Sequence, residues 1–297
     1  MVAKLALGAA QLGMKYGRAN TNGMPERDEA VGILQSACEL GVDLFDTARA
    51  YGDSESVIGD AALSGVTIST KLSPLTHLNE NYSPEQIKQL VLSDIEASIS
   101  NLKTEYIDIL MLHRWEHRYN DVIWQTLLEL KDKNIIKTLG ASVSNPKEAL
   151  EAVADNDIGF IQLPLNLLDW RWEKSGLANV ALSSHKHIQA RIVLLQGLLV
   201  SDASFWPDID GVNCNEIIEK LDSFVSGFGR SGRADLCYAY VRSLPWVSSV
   251  VVGMETMEQL KNNVELFSYN PLDKKQCEII QKSFNNTVER LLNPSLW

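Results

Sequence analysis

Short runs of apolar and β-branched residues recur along the chain at 5–10, 43–47, 66–72, 107–113, 136–142, 160–165, 191–196 and 247–252, and each has the length and composition of a buried strand. The segments between them carry apolar residues at helical spacing. In 85–102, for example, Ile87, Leu90, Val91, Ile95, Ile99 and Leu102 fall near one stripe, the face that a helix turns toward a sheet. Ser83-Pro84-Glu85-Gln86 and Asn145-Pro146-Lys147-Glu148 each place a capping residue, a first-turn proline and a Gln or Glu at the third helical position. Strands alternating with helices imply parallel crossovers, and eight of them predict an α/β fold, the closed (β/α)8 or TIM barrel. The stretch 273–292 predicts one further C-terminal amphipathic helix, and 201–214, with Pro207 and Gly211, reads as a loop.

Composition agrees with this outline. The 297 residues, 45% of them apolar, suffice for one large core, and no Gly/Pro/Ser linker divides the chain, so a single barrel domain over 1–297 is expected. The net charge of −11 and the dispersion of the 27 basic residues argue against nucleic acid as a partner. Cysteines 38, 214, 237 and 277 form no CxxC pair and have no histidine at ligand spacing, which indicates no metal site and no disulfide framework. The opening residues read as the first strand rather than a signal peptide, and no apolar run reaches membrane-spanning length. A soluble, cytoplasmic protein, a monomer or weak homo-oligomer, is the expectation.

Four polar residues stand at the downstream ends of successive strand segments: Asp46, Tyr51, Lys71 and His113. In a parallel barrel those ends share one mouth. A phenol with a pKa near 10 donates a proton poorly at neutral pH unless a nearby cation makes the phenolate less costly. Lys71 can be that cation, Asp46 can keep the lysine charged, and His113 can orient a carbonyl oxygen beside the hydroxyl. The set describes a proton donor for a developing alkoxide.

The stretch 45–55, FDTARAYGDSE, the Ser-Thr-Lys ending at Lys71 and the Leu-His ending at His113 resemble, in order, the motifs of the aldo-keto reductase superfamily, and the resemblance covers nearly the whole chain. It implies an eight-stranded barrel that binds a nicotinamide cofactor without a GxGxxG motif. It implies Tyr51 as general acid, Lys71 and Asp46 as the pair that tunes it, and His113 as the carbonyl-orienting group. Gln162 matches the glutamine that holds the carboxamide, followed by Asn166. Ser142 matches the family serine, although Val143 stands where the family has asparagine.

Gly253, Thr256, Gln259 and Asn263 resemble the family's adenosine-phosphate segment. Gly8 and Ala9 resemble the part of the first strand at the nicotinamide end, and Gln196, Gly197 and Leu198 the segment beneath the pyrophosphate. The resemblance implies NADP(H). NAD(H) stays open, because Gly253 and Gln259 replace basic residues common in relatives and Glu255 adds a negative charge.

Three functions follow from these residues: hydride transfer between a nicotinamide cofactor and an aldehyde, ketone or sugar; a Schiff-base lyase using Lys71; or a cofactor-binding barrel subunit without turnover. The intact set of four favours the first. Loops 77–82, 115–119 and 201–214 would shape the substrate pocket, with Trp115, Trp170 and Trp172 as candidate walls. The segment 11–20 resembles a subgroup found with sugar-modifying enzymes, which points to a polyhydroxylated carbonyl compound.

Overall fold

The computed structural model describes residues 2–79 and 81–297; Met1 and Glu80, the latter within the expected pocket loop 77–82, lie outside the described residues. Eight parallel strands close into a barrel in sequence order: β1 Lys4–Gly8, β2 Leu44–Asp46, β3 Thr67–Lys71, β4 Ile107–Leu112, β5 Ile136–Ser142, β6 Ile158–Pro164, β7 His187–Arg191 and β8 Ser249–Gly253. Closure is made by β8 against β1, where Gly8 pairs with Gly253. Among the described residues no helix is long and apolar enough to cross a membrane.

The outer core lies between the strands and the helices. The helix Pro84–Leu102 buries Ile87, Val91, Ile95 and Leu102, and it opens on the expected capping box of Ser83 and Gln86. At Asn145 the side chain accepts from the Glu148 amide, while Glu148 reaches back to the Ser144 amide. A separate inner cluster of Ala6, Leu44, Ile109, Met111 and Phe160 fills the barrel. Because side chains alternate across a strand, the residues two positions further along, Gly8, Asp46 and Gln162, face the same interior nearer its downstream mouth.

Two elements depart from the pattern. The seventh strand is His187–Arg191, not 191–196. HIQAR looks too polar for a buried strand, yet His187 stacks on Phe160 inside the barrel with ring centroids 4.5 Å apart, and Gln189 hydrogen-bonds Gln162 there. The apolar run after it curls instead of pairing, with positive φ at Ile192, Leu195 and Gln196, and buries Val193 and Leu195 beneath the mouth. The C-terminal stretch forms two helices, Lys274–Phe284 and Glu289–Leu292. They are broken at Asn285-Asn286-Thr287, where the Thr287 hydroxyl donates to the Phe284 carbonyl, a local bond that competes with helix continuation.

A close backbone approach sets the position of the turn after β2. A Cβ on Gly13 would stand 2.1 Å from the Ser54 amide nitrogen and 2.4 Å from the Tyr51 carbonyl oxygen, and the Asp53 amide donates to the Gly13 carbonyl at 3.1 Å. Only a residue without a side chain fits against that turn. Gly13→Ala is expected to cost about 1–3 kcal/mol through overpacking, read as a lower urea midpoint; an unchanged midpoint would show that the two segments do not bear on each other.

Candidate active site

The motif after β2 builds its own turn. The Thr47 and Ser54 hydroxyls lie 2.7 Å apart, and Ser54 donates to the Ala9 carbonyl at 2.9 Å. Arg49 pairs with the buried Glu55 at 2.9 Å, and Thr70 donates to the other Glu55 oxygen at 2.7 Å. These bonds tie the segment 47–55 to β1 and β3 and leave Tyr51 half-buried at the mouth.

Behind Tyr51 lies a sealed ion pair. Lys71, 1% exposed, donates to both Asp46 oxygens at 2.9 and 2.8 Å and to the Thr47 carbonyl at 2.8 Å. Burial pulls the ammonium's pKa down, but the attraction of Asp46, with Tyr51 beside it, outweighs this and holds it above the ordinary lysine value. Asp46 also accepts from Ser69 at 3.1 Å and from the Gln162 amide nitrogen at 2.8 Å. The ammonium stands 4.9 Å from the centre of the Tyr51 ring.

The His113 ring meets Tyr51 edge-on, with centroids 6.0 Å apart. Burial first, then the Lys71 and Arg191 charges, lowers its pKa to about 3. The imidazole is therefore neutral across the physiological range.

Tyr51 borders a cleft of about 440 Å³. Of the residues singled out by sequence, Gly8, Asp46, Tyr51, Gln162, Gln196, Gly197, Gly253, Gln259 and Asn263 line it. Ala9, Lys71, His113, Ser142, Leu198 and Thr256 do not; Ala9 and Leu198 are fully buried, and Thr256 caps the helix Met257–Ser268 by accepting from the Gln259 amide. Gln11, in the first-strand segment that the family resemblance marks, lines it as well, and sequence reasoning missed Tyr16, Asn20, Arg191 and Asn262, which also line the cleft. The one available signal was the period-two pattern of His187, Gln189 and Arg191, which marks an inward-facing polar column. The expected tryptophan walls are absent from the cleft lining: the Trp115 indole donates to Glu151, Trp172 to Asp169 and Trp170 to the Thr287 carbonyl.

The cleft offers an acceptor to a carboxamide. Both Gln162 donor hydrogens are directed at Asp46 and Gln189, so its buried Oε1 is an acceptor without a partner; Asn166, whose Nδ2 is a buried donor without one, does not line the cleft. At the far end the cleft closes on Gly253, where a Cβ would meet the Gln11 side chain at 2.1 Å. Glu255 there accepts from Gln259 Nε2 at 3.0 Å and from Asn22 at 3.5 Å. These features fit a nicotinamide dinucleotide.

A sequence model of the Aldo/keto reductase family matches residues 4–285. The chain belongs to that family. Among its relatives, an uncharacterized oxidoreductase, YqkF, from Bacillus subtilis is 26% identical over 86% of this chain and 88% of its own length. An NADH-specific methylglyoxal reductase from Escherichia coli is 24% identical over 92% of each chain. The holo structure of the aldo-keto reductase AKR11C1 from Bacillus halodurans superposes with a TM-score of 0.74 at 23% identity, over 95% of this chain and 92% of that one. This aldo/keto reductase is thus an oxidoreductase of the nicotinamide-dependent class.

Removing the anion of the sealed pair leaves a buried ammonium uncompensated. Asp46→Ala is expected to lose about 3–5 kcal/mol of folding stability, measured by denaturant unfolding. A loss below about 1 kcal/mol, the worth of an exposed pair, would mean that the lysine is not held as a buried charge.

Proposed function

We propose that this protein reduces a small aldehyde or ketone with Tyr51 as the proton donor. The observation that carries the reading is the half-buried phenol backed by a buried ammonium whose charge Asp46 holds in place. When bound, a reduced nicotinamide supplies hydride to the carbonyl carbon. Tyr51 meets the carbonyl oxygen from the cleft side and passes its proton to that oxygen, with the Lys71 ammonium 4.9 Å from the centre of its ring. His113, neutral, orients the oxygen without competing for the proton. Gln162, which lines the cleft, holds the carboxamide through its unpartnered acceptor.

A Schiff-base role for Lys71 is disfavoured by the same geometry. Its donors are committed to Asp46 and the Thr47 carbonyl, and its raised pKa opposes the neutral amine that a nucleophile needs. Tyr51→Phe is expected to lower kcat for carbonyl reduction by about 10²–10⁴-fold while cofactor titration by fluorescence quenching stays within a few-fold of the parent. A retained rate would end this assignment.

The cofactor is proposed to be NAD(H) in preference to the NADP(H) that the family resemblance implies. Among the described cleft-lining residues the sole cation is Arg191, and Glu255 lines the Gly253 end instead. A 2'-phosphate at that end would face a carboxylate and lack the charge-assisted bonds that select it. An E. coli relative is named as NADH-specific. Glu255→Gln keeps the size and the hydrogen-bonding reach and removes the charge. It is expected to raise NADPH affinity relative to NADH by at least about fivefold, on the order of 1 kcal/mol, the solvent-screened lower bound for one charge pair; a parent protein that already prefers NADPH would refute the assignment.

A further inference from the structure

The cleft holds a cation that the reduction just described does not use. Arg191 is the last residue of β7, opposite Pro164 in the register, and its carbonyl accepts from the Leu165 amide at 2.9 Å, which pins its backbone. One guanidinium nitrogen, Nη2, donates to the Val143 carbonyl at 3.2 Å. Its Nε is buried with no partner, and no carboxylate among the described residues forms a salt bridge with it. Burial lowers its pKa, while Tyr51, Tyr16, Asp46 and Glu148 act in the opposite direction.

Neither carboxylate is free to neutralise it. Asp46 is engaged by Lys71, Ser69 and Gln162, and Glu148 is engaged by the Ser144 amide and the Asn145 side chain. Arg191 is half-buried, and a guanidinium whose Nε is shut off from water with no partner is costly for the fold. Such groups cluster where a ligand completes them. Arg191, Tyr16 and Tyr51 line one cleft, so an anion that completes the guanidinium would sit in the cleft that Tyr51 borders.

We propose that Arg191 determines substrate class by binding a carboxylate carried on the carbonyl substrate, making the preferred substrates oxo acids or uronic-type sugar acids. The inference rests on the reductase reading above and names the substrate chemistry of that same site. The planar guanidinium, held from one side by Val143, keeps donors for a two-point contact with a planar carboxylate. A lysine would supply charge without that geometry. The cofactor's phosphates are the competing anions, and the test separates the two.

With NADH as reductant, kcat/KM is measured for glyoxylate, succinic semialdehyde and D-glucuronate against the uncharged methylglyoxal, butyraldehyde and D-glucose. The parent protein should prefer at least one acid over its uncharged counterpart. Arg191→Met should lower that preference ratio by about thirtyfold or more, the lower range for removing one partner of a buried charge pair, and Arg191→Lys should retain part of it. Calorimetric binding of succinate, which cannot be reduced, to the NADH-saturated protein should weaken in parallel, a readout independent of turnover.

Equal losses on both members of a pair, no preference for any acid in the parent, or an NADH affinity that falls as far as succinate affinity would each overturn the assignment. Should Arg191→Met fail to give a folded protein by circular dichroism, Arg191→Lys and Arg191→Gln carry the same comparison. No turnover of any carbonyl compound with either cofactor would refute the reductase reading instead, and succinate binding would still decide the role of Arg191.

Discussion

Asp46 is the anion on which the mouth of this barrel is organised. It stands at the end of β2 and takes hydrogen bonds from Lys71 and Ser69 of β3 and from Gln162 of β6 across the interior. One carboxylate therefore cross-links strands far apart in sequence, keeps a buried ammonium charged and orients the amide of Gln162. Its own burial is tolerable because each oxygen is occupied. The same occupancy gives the site direction: with the Gln162 hydrogens spent on Asp46 and Gln189, the Gln162 oxygen is left facing outward chemistry as an acceptor.

Around that centre the charges are distributed unevenly. Lys71 is fully compensated and sealed, His113 is neutral, Glu255 places a negative charge at the far end of the cleft, and Arg191 keeps an uncompensated positive charge on the side of Tyr51. A ligand with its anionic group near the phenol and none at the Gly253 end would complement this field. The polypeptide between β7 and the next helix also carries backbone strain, with left-handed conformations at Ile192, Leu195 and Gln196. Residues of that kind persist where surrounding structure over-determines them and concentrate at ligand sites. Here they turn Gln196 and Gly197 into the cleft wall, against the Ala19 segment, whose amide donates to the Gln196 carbonyl.

The legible parts of the chain were those in which neighbours in sequence are also neighbours in chemistry. Seven strands and the caps at Ser83 and Asn145 depend on local periodicity or on bonds within a few residues, and FDTARAYGDSE was legible as a motif although Ala9, Gly13 and Thr70 help to hold its turn. The seventh strand was misplaced because an apolar run looks like a buried strand, whereas a barrel interior near its mouth accepts polar side chains when they can bond one another. The break at Asn285–Thr287 was likewise hidden, since helical spacing alone does not register a threonine that bonds back to Phe284.

By itself the sequence determined the barrel, through the periodicity of its strands and helices, and its family motifs singled out Asp46, Tyr51, Lys71 and His113 as the candidate set, Tyr51 in the turn that follows β2 rather than at a strand end. Only the tertiary structure decided which of them open onto the cleft and which support it from behind, and only it put Arg191 and Tyr16 in the wall beside Tyr51. Those relations depend on closure of the sheet, which brings β6 and β7 against β2 across the interior. The compensation of a charge is a property of three-dimensional neighbours, so a lone arginine in HIQAR acquires its meaning only when the barrel shows that no carboxylate among the described residues answers it.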